Sequence, residues 1–232
     1  MKLNIILYFT IALFTIVGCG NSNNDSVERK ELNYQFISDK EGWLGDFADY
    51  PLGAEDFYEL SHEYAMLPDP LDDTKGSLML SGNNHSDDLF MFIKKNISGL
   101  SPNTNYSITF HIEFASNVAD GMVGIGGSPG EGVTIKAGAT QIEPIKELDI
   151  NNKYRMNIDK GNQVNSGKDM IVIGDFSNDT AHNIYTLKSV TNNIPFTVQT
   201  DKNGELWFTV GTDSGFEGIT SIYYSKINVV LK

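Results

Sequence analysis

The chain predicts an all-β fold, a single two-sheet β-sandwich, on three observations. First, "YSITFHIEF" (Tyr106 to Phe114) alternates without a fault, with Tyr106, Ile108, Phe110, Ile112 and Phe114 on one face. Ser107, Thr109, His111 and Glu113 fall on the other, and period two of this length is the signature of a half-buried strand. Second, short apolar or alternating runs recur along the chain between Gly, Pro, Asn and Asp turn signals, the pattern of sandwiches and barrels. Third, about 200 of the 232 residues follow a polar N-terminal stretch without a proline- or serine-rich break and without an internal repeat, enough for one well-buried domain and short for two.

The N-terminus comes first. Lys2 precedes an apolar run, Leu3 to Val17, broken by Asn4 and threonines, which ends in Ile16-Val17-Gly18-Cys19. A short apolar segment before a small residue marks a secretory signal rather than a membrane span. The segment resembles the lipobox of bacterial lipoproteins. That resemblance implies cleavage before Cys19, acylation of its thiol and new amine, and a stable lipid anchor in the cell envelope. Gly20 after the cysteine implies, by the same resemblance, the outer membrane of a Gram-negative cell. A plain signal peptide with an incidental cysteine is the competing reading. Cys19 is the one cysteine, which excludes an intramolecular disulfide and a cysteine-based zinc site. The expected organisation is a signal over 1–18, an acylated polar tether over 19–32 ("GNSNNDSVERKELN" includes most of it) and the β-domain over 33–232.

Further strands are expected at Tyr34–Ser38, Phe57–Ser61, Ser77–Leu80, Leu89–Lys94, Met170–Phe176, Phe196–Thr200, Leu206–Val210 and Ile222–Leu231. Between the first two lies "GWLGDFADYPLG" (Gly42 to Gly53), which fits neither helix nor strand and reads as a connection that plugs the end of the core with Trp43 and Phe47. Ala54–Leu67 also fits a helical pattern through Phe57, Leu60 and Tyr64, but it lacks a cap, so a strand is preferred. Asn203-Gly204 between two apolar runs predicts a hairpin turn. "GIGGSPGEG" (Gly124 to Gly132) contains a formal G-x-S-x-G match, but Pro129-Gly130 opens no helix, so a flexible edge loop is expected in place of a nucleophile elbow.

"KKNISGLSPNTNYSITFHIEFAS" (Lys94 to Ser116) resembles the long-strand lead-in of carbohydrate-binding-module and galactose-binding-like jelly rolls. The closing run from Phe196 to Leu231 resembles the paired last strands of the same sandwiches. The resemblance implies a jelly-roll sandwich and a polysaccharide or similar polar ligand, and such folds often carry a structural calcium.

Composition narrows the partners. A formal net charge of −13, one unit more negative once Lys2 is removed, argues against nucleic acid and against electrostatic binding to an anionic membrane surface. The densest polar cluster is "SGNNHSDDLFMFI" (Ser81 to Ile93). Asn84, His85, Asp87 and Asp88 there read as turn caps, as sugar hydrogen-bonders, or, for Asp87 and Asp88, as hard oxygen ligands for Ca²⁺. Arg155, the domain's lone arginine, is expected to pair with a carboxylate, with ligand contact as the alternative. Trp43, Asp46, Asp49 and Tyr50 are expected to edge a polar pocket together with the Asn84–Asp88 turn, and Asp213 sits in another polar loop. His62, His85, His111 and His182 show no metal-binding spacing. His111 and Glu113 share the polar strand face, read as solvated. The leading expectation is a lipid-anchored, non-catalytic glycan-binding module. A structural or assembly lipoprotein with a protein partner follows, and a glycan hydrolase or lyase is the enzymatic alternative.

Overall fold

The computed structural model describes residues 29–232, so the secretory segment, Cys19 and most of the tether lie outside the described residues. Tyr106, Ile108, Phe110, Ile112 and Phe114 all point into the core, as their alternation predicts. They belong to a seven-stranded antiparallel sheet built from β1 (Lys30–Tyr34), β3 (Ser61–Met66), β4 (Gly76–Asn83), β6 (Asn105–Ser116), β11 (Thr186–Thr191), β12 (Phe196–Gln199) and β14 (Ile219–Leu231). Its order is β11-β6-β14-β4-β3, with β1 beside β14 and β12 beside β6.

A five-stranded antiparallel sheet packs against it: β2 (Leu44–Ala48), β5 (Leu89–Ile97), β7 (Val133–Thr140), β10 (Met170–Asp175) and β13 (Leu206–Ser214), in the order β10-β7-β13-β5-β2. The chain is thus an all-β two-sheet sandwich. Between the sheets lie Leu78, Leu80, Met91, Ile93, Ile135, Phe208, Val210, Ile222, Ile227 and Val229 with the β6 residues.

Several elements depart from expectation. Gly42–Gly53 is not purely a loop, because Leu44–Ala48 pairs with β5 as the edge strand β2. The first strand begins at Lys30 and ends at Tyr34, where Phe36 at φ 51 turns the chain. Glu41 fixes that turn by accepting from the Gln35 and Phe36 amides at 2.9 and 2.6 Å. In the third segment Glu55–Glu59 is a run of turns and the strand starts only at Ser61, so neither the helix nor the strand at Phe57–Ser61 forms. Asp201–Gly204 does turn, with Gly204 at φ 74, yet β12 pairs with β6 and β13 with β5 and β7. The turn therefore carries the chain from one sheet to the other and does not close a hairpin. β7, "VTIKAGAT", is buried on both faces and so lacks the polar alternation that marks β6.

The double burial of β7 has a physical cause. A small third sheet, β8 (Lys146–Leu148) with β9 (Tyr154–Met156), and the segment after it cover the outer face of the five-stranded sheet. Phe90 and Phe92, stacked at 5.4 Å, form a second apolar core there with Ala48, Ile158, Met170 and Met156. Backbone bonds from Asp49 N to Tyr154 O (2.7 Å) and Tyr154 N to Tyr50 O (2.9 Å) hold the cover to the edge of β2.

At the other flank Lys188 Nζ, on β11, donates to Asp175 Oδ1 of β10 at 2.8 Å and ties the two sheets together. Burial alone would raise the Asp175 pKa, but hydrogen bonds from Lys188 and Ser177 outweigh it and hold the carboxyl below its ordinary value. A lowered acid contributes stability above the ordinary carboxylate pKa and loses it as pH falls through the folded-state value. Urea unfolding is therefore expected to show stability dropping as pH falls below about 4, with a shallower drop in Asp175→Asn.

Candidate functional site

Six charged side chains from five parts of the chain converge where the cover meets the end of the five-stranded sheet. Asp213 is the centre. It lies on β13 facing the cover, fully buried, and its Oδ2 accepts from Lys136 Nζ, Lys160 Nζ and Gln163 N at 2.8, 2.8 and 2.9 Å. Lys136, on β7 and also fully buried, donates further to the Lys160 and Asn165 carbonyls at 2.9 and 3.0 Å. Lys160 reaches Asp49 Oδ2 at 2.9 Å, and Arg155 Nη1 spans Asp49 Oδ1 (2.8 Å) and Asp88 Oδ2 (2.6 Å). Asp49 is buried at φ 67, just past β2, and Asp88 immediately precedes β5. The alternation of β7 and β13 aims Lys136 and Asp213 at the cover, while the covering segment supplies Arg155 and Lys160.

Charge and burial shape the proton affinities. Burial lowers the Lys136 pKa against the attraction of Asp213. For Lys160 burial acts the same way, but Asp213 and Asp49 overcome it and raise the pKa. Burial, then the Asp49 charge, lifts Asp88 above the ordinary carboxylate value despite its Arg155 bond. Asp49, Asp88 and Asp213 are thus matched by Lys136, Lys160 and Arg155. Each acid is engaged in an ion pair, the arrangement of a buried fastening.

The residues singled out in the sequence fall into three groups. Asp49, Asp88, Arg155 and Asp213 meet in this network. Trp43 and Tyr50 do not edge a pocket, because both are fully buried in the main core and offer no face to a ligand. The Tyr50 ring meets that of Tyr154 at a tilt, centres 5.1 Å apart, and its hydroxyl accepts from Lys146 at 2.7 Å. Asp46 lies apart from the network, paired to Lys146 at 3.0 Å. The turn residues also separate. Asn84 is buried and organises the loop, donating to the Ser214 and Phe216 carbonyls and accepting from the Ser86 and Asp88 amides. His85 is exposed and stacks on Phe57 at 4.1 Å. Asp87 is exposed at φ 58, and its carbonyl takes a bond from Gln163. A calcium ion held by the pair Asp87 and Asp88 does not fit, since Asp88 serves Arg155 while Asp87 stands in solvent.

Lys136 and Lys160 were missed. The available signal was a lysine in the middle of the otherwise small and apolar run "VTIKAGAT".

The opposite face of the molecule is open. On the outer side of the seven-stranded sheet, register places Thr191, His111, Asn228 and Asn33 in one row across four strands. Ser189, Glu113 and Lys226 form the neighbouring row. Strand spacing of about 4.8 Å makes the four-residue row roughly 14 Å long. Two adjoining depressions of about 350 and 400 Å³ share Glu113 and Lys226 and run together as a trough. Its polar groups are pre-oriented: His111 Nδ1 lies 2.9 Å from Thr191 Oγ1, Ser225 Oγ donates to Glu113 Oε1 at 2.8 Å, and Asn228 Nδ2 donates to Glu31 Oε1 at 2.9 Å. Beyond Leu187 the half-buried rings of Tyr185 and Tyr223 meet edge to face at 5.5 Å. Burial and Tyr223 push the Tyr185 hydroxyl up to about 12, so it stays a neutral donor.

No family model matches the chain, and no curated protein does. Among solved structures, a carbohydrate-binding module described for specific mannan recognition is similar at 12% identity and a TM-score of 0.41, covering 89% of this chain and 99% of that one. A putative sugar-binding protein from Bacteroides thetaiotaomicron is similar at 12% identity and a TM-score of 0.40, over 82% and 88%. The Clostridium thermocellum endo-1,4-β-D-xylanase 10B, in its CBM22-1 and GH10 modules, is similar at 13% identity and a TM-score of 0.39, over 87% of this chain and 28% of that one. The chain thus spans under a third of that xylanase structure. These likenesses are loose, and the sandwich described above rests on the chain's own strand pairing.

Proposed function

We propose that the protein is a non-catalytic module that binds a glycan or similar polar chain along the trough of the seven-stranded sheet. The observation that carries this reading is the double row of Thr191, His111, Asn228 and Asn33 beside Ser189, Glu113 and Lys226 on an open face. Short side chains with mixed donors and acceptors, beside a pair of aromatic rings, suit hydroxyl-rich ligands. The clustered carboxylates support binding over hydrolysis, because all are spent on ion pairs. The lipobox-like segment supports attachment to the cell envelope through Cys19, in the outer membrane of a Gram-negative cell.

A glycan array followed by titration calorimetry tests the binding half. Glu113→Ala and Asn228→Ala are each expected to weaken binding about tenfold, the weight of one or two hydrogen bonds, with no change in the unfolding midpoint beyond a few degrees. Binding to no envelope or dietary polysaccharide would sink this reading. For the anchor, labelled fatty acid is expected to enter the wild-type chain and not Cys19→Ser.

A second reading, an assembly lipoprotein with a protein partner, draws support from Val123 and Ile125. They project 92% and 73% exposed from the loop after β6. Loss of binding confined to trough variants favours the first reading over this one.

A further inference from the structure

The trough is not uniform in charge along its length. The row of Thr191, His111, Asn228 and Asn33 borders the depression that holds Glu31, whereas the depression of about 350 Å³ beyond the neighbouring row is lined by two lysines, Lys75 and Lys226. Glu113 is the one acid of that lining, and it is already engaged: its Oε1 accepts from Ser225 Oγ at 2.8 Å. Lys226 faces Glu113 directly in the register of β14 on β6, yet it forms no ion pair with Glu113 or with any other acid among the described residues. Lys75, in the turn before β4, reaches Asp72 only loosely, at 3.7 Å, and Asp72 is itself answered by the Thr74 amide and hydroxyl at 3.1 and 2.6 Å.

Lys94, Lys136, Lys146, Lys160 and Lys188, by contrast, all lie 2.7–3.0 Å from a carboxylate. Two weakly matched ammonium groups in one depression, on a chain of formal net charge −13, make a local positive spot in a negative surround. The rest of the depression suits a sugar ring. Ile37, 72% exposed, and Leu187, 38% exposed, offer apolar surface to the C–H face of a ring. Gln35, exposed just past β1, brings a side-chain amide that both donates and accepts.

We infer that the trough takes an acidic glycan, with the carboxylate of a uronic acid unit seated at Lys75 and Lys226 and neutral units along the row from Thr191 to Asn33. This assignment rests on the trough being the binding face, and it adds the class of ligand and its direction across the sheet. A sugar carboxylate meets an ammonium through a charge-assisted hydrogen bond, stronger than the neutral bonds offered along the row. Glu31 repels the same group from the other depression, so the acidic unit has one favoured place. The net charge also limits the ligand. A densely sulfated or phosphorylated chain meets the surrounding acids, whereas an isolated carboxylate meets the two lysines.

The test uses the purified full chain and paired probes. Oligosaccharides of polygalacturonate, alginate, glucuronoxylan and hyaluronan are each titrated beside a carboxyl-reduced counterpart, in which the carboxylate is a primary alcohol. At least one acidic probe is expected to bind about tenfold more tightly than its reduced form, with the gap narrowing as NaCl rises from about 50 to about 500 mM. The double variant Lys75→Gln with Lys226→Gln is expected to bring the two forms within about twofold of each other. Both lysines are exposed, so its unfolding midpoint is expected to stay within about 2 °C of wild type. Reduced or neutral glycans bound as tightly as the acidic ones, and still weakened by Asn228→Ala, overturn the acidic assignment and leave the trough reading standing. A preference for the acidic form that survives the double variant overturns it equally. Tighter binding of dextran sulfate than of any uronate probe overturns it in favour of a dense polyanion. No binding of any probe, acidic or neutral, sinks the assignment and the trough reading together.

Discussion

Asp213→Asn is expected to remove about 3–5 kcal/mol of folding stability, the usual cost of deleting one partner from a buried ion pair. The effect is large because Asp213 Oδ2 answers two ammonium groups at once. Lys136 is fully buried and would keep only two backbone carbonyls, while Lys160 would keep Asp49. A neutral amide offers an oxygen but not the charge that offsets their desolvation. Against a typical total of 5–15 kcal/mol, the loss brings the domain close to unfolding at ordinary temperature. Urea unfolding measures it. The double variant Asp213→Asn with Lys136→Met sharpens the test, because it removes an acid and a base together. It is expected to be more stable than Asp213→Asn alone, giving a coupling of at least about 1 kcal/mol. Simple addition of the two single costs would mean that the lysine does not depend on Asp213.

The same network shows what the sequence made legible. Arg155 was expected to pair with a carboxylate because it is the domain's one arginine in an acidic chain, and it takes two, Asp49 and Asp88. The strong alternation of β6 gave its inward and outward faces correctly. Where a strand has one wet face, polarity reports geometry. β7 has no wet face, so Lys136 and Thr134 stand among apolar residues and the pattern disappears. The covering segment that causes this gives no strand signal in the sequence, since β8 and β9 are three residues each and carry little periodicity. The hairpin expected at Asn203-Gly204 fails for a different reason. Local turn chemistry specifies the bend at Gly204, but pairing partners are chosen by the whole sandwich, and here the bend changes sheets. The trough was half legible: His111 and Glu113 were placed on one polar face, while Asn228 and Thr191 join them only through the register of β14 and β11.

Trp43→Ala is the second change with a large expected effect, again about 3–5 kcal/mol, the range for truncating a buried aromatic. Its ring has no exposed surface, lies in the main core and meets Tyr34 edge to face at 5.4 Å. The backbone around it is fixed from outside the core. Trp43 N donates to the Lys40 carbonyl at 2.8 Å, and Lys95 Nζ donates to the Glu41 carbonyl at 2.6 Å. A site held this way cannot collapse onto the lost volume, which places the cost toward the upper end of the range. The indole Nε1 is buried without a partner. Trp43→Phe therefore deletes an unsatisfied donor along with part of the ring, and is expected to cost clearly less than the alanine variant. Ligand affinity of the folded fraction at about 10 °C, well below the unfolding midpoint, separates stability from recognition. It is expected to stay within about twofold of wild type in both variants, because Trp43 touches neither the trough nor any solvent. A fall in affinity with unchanged stability would instead make the ring a stacking platform, and it would require the Gly42–Gly53 segment to open away from the core that now encloses it.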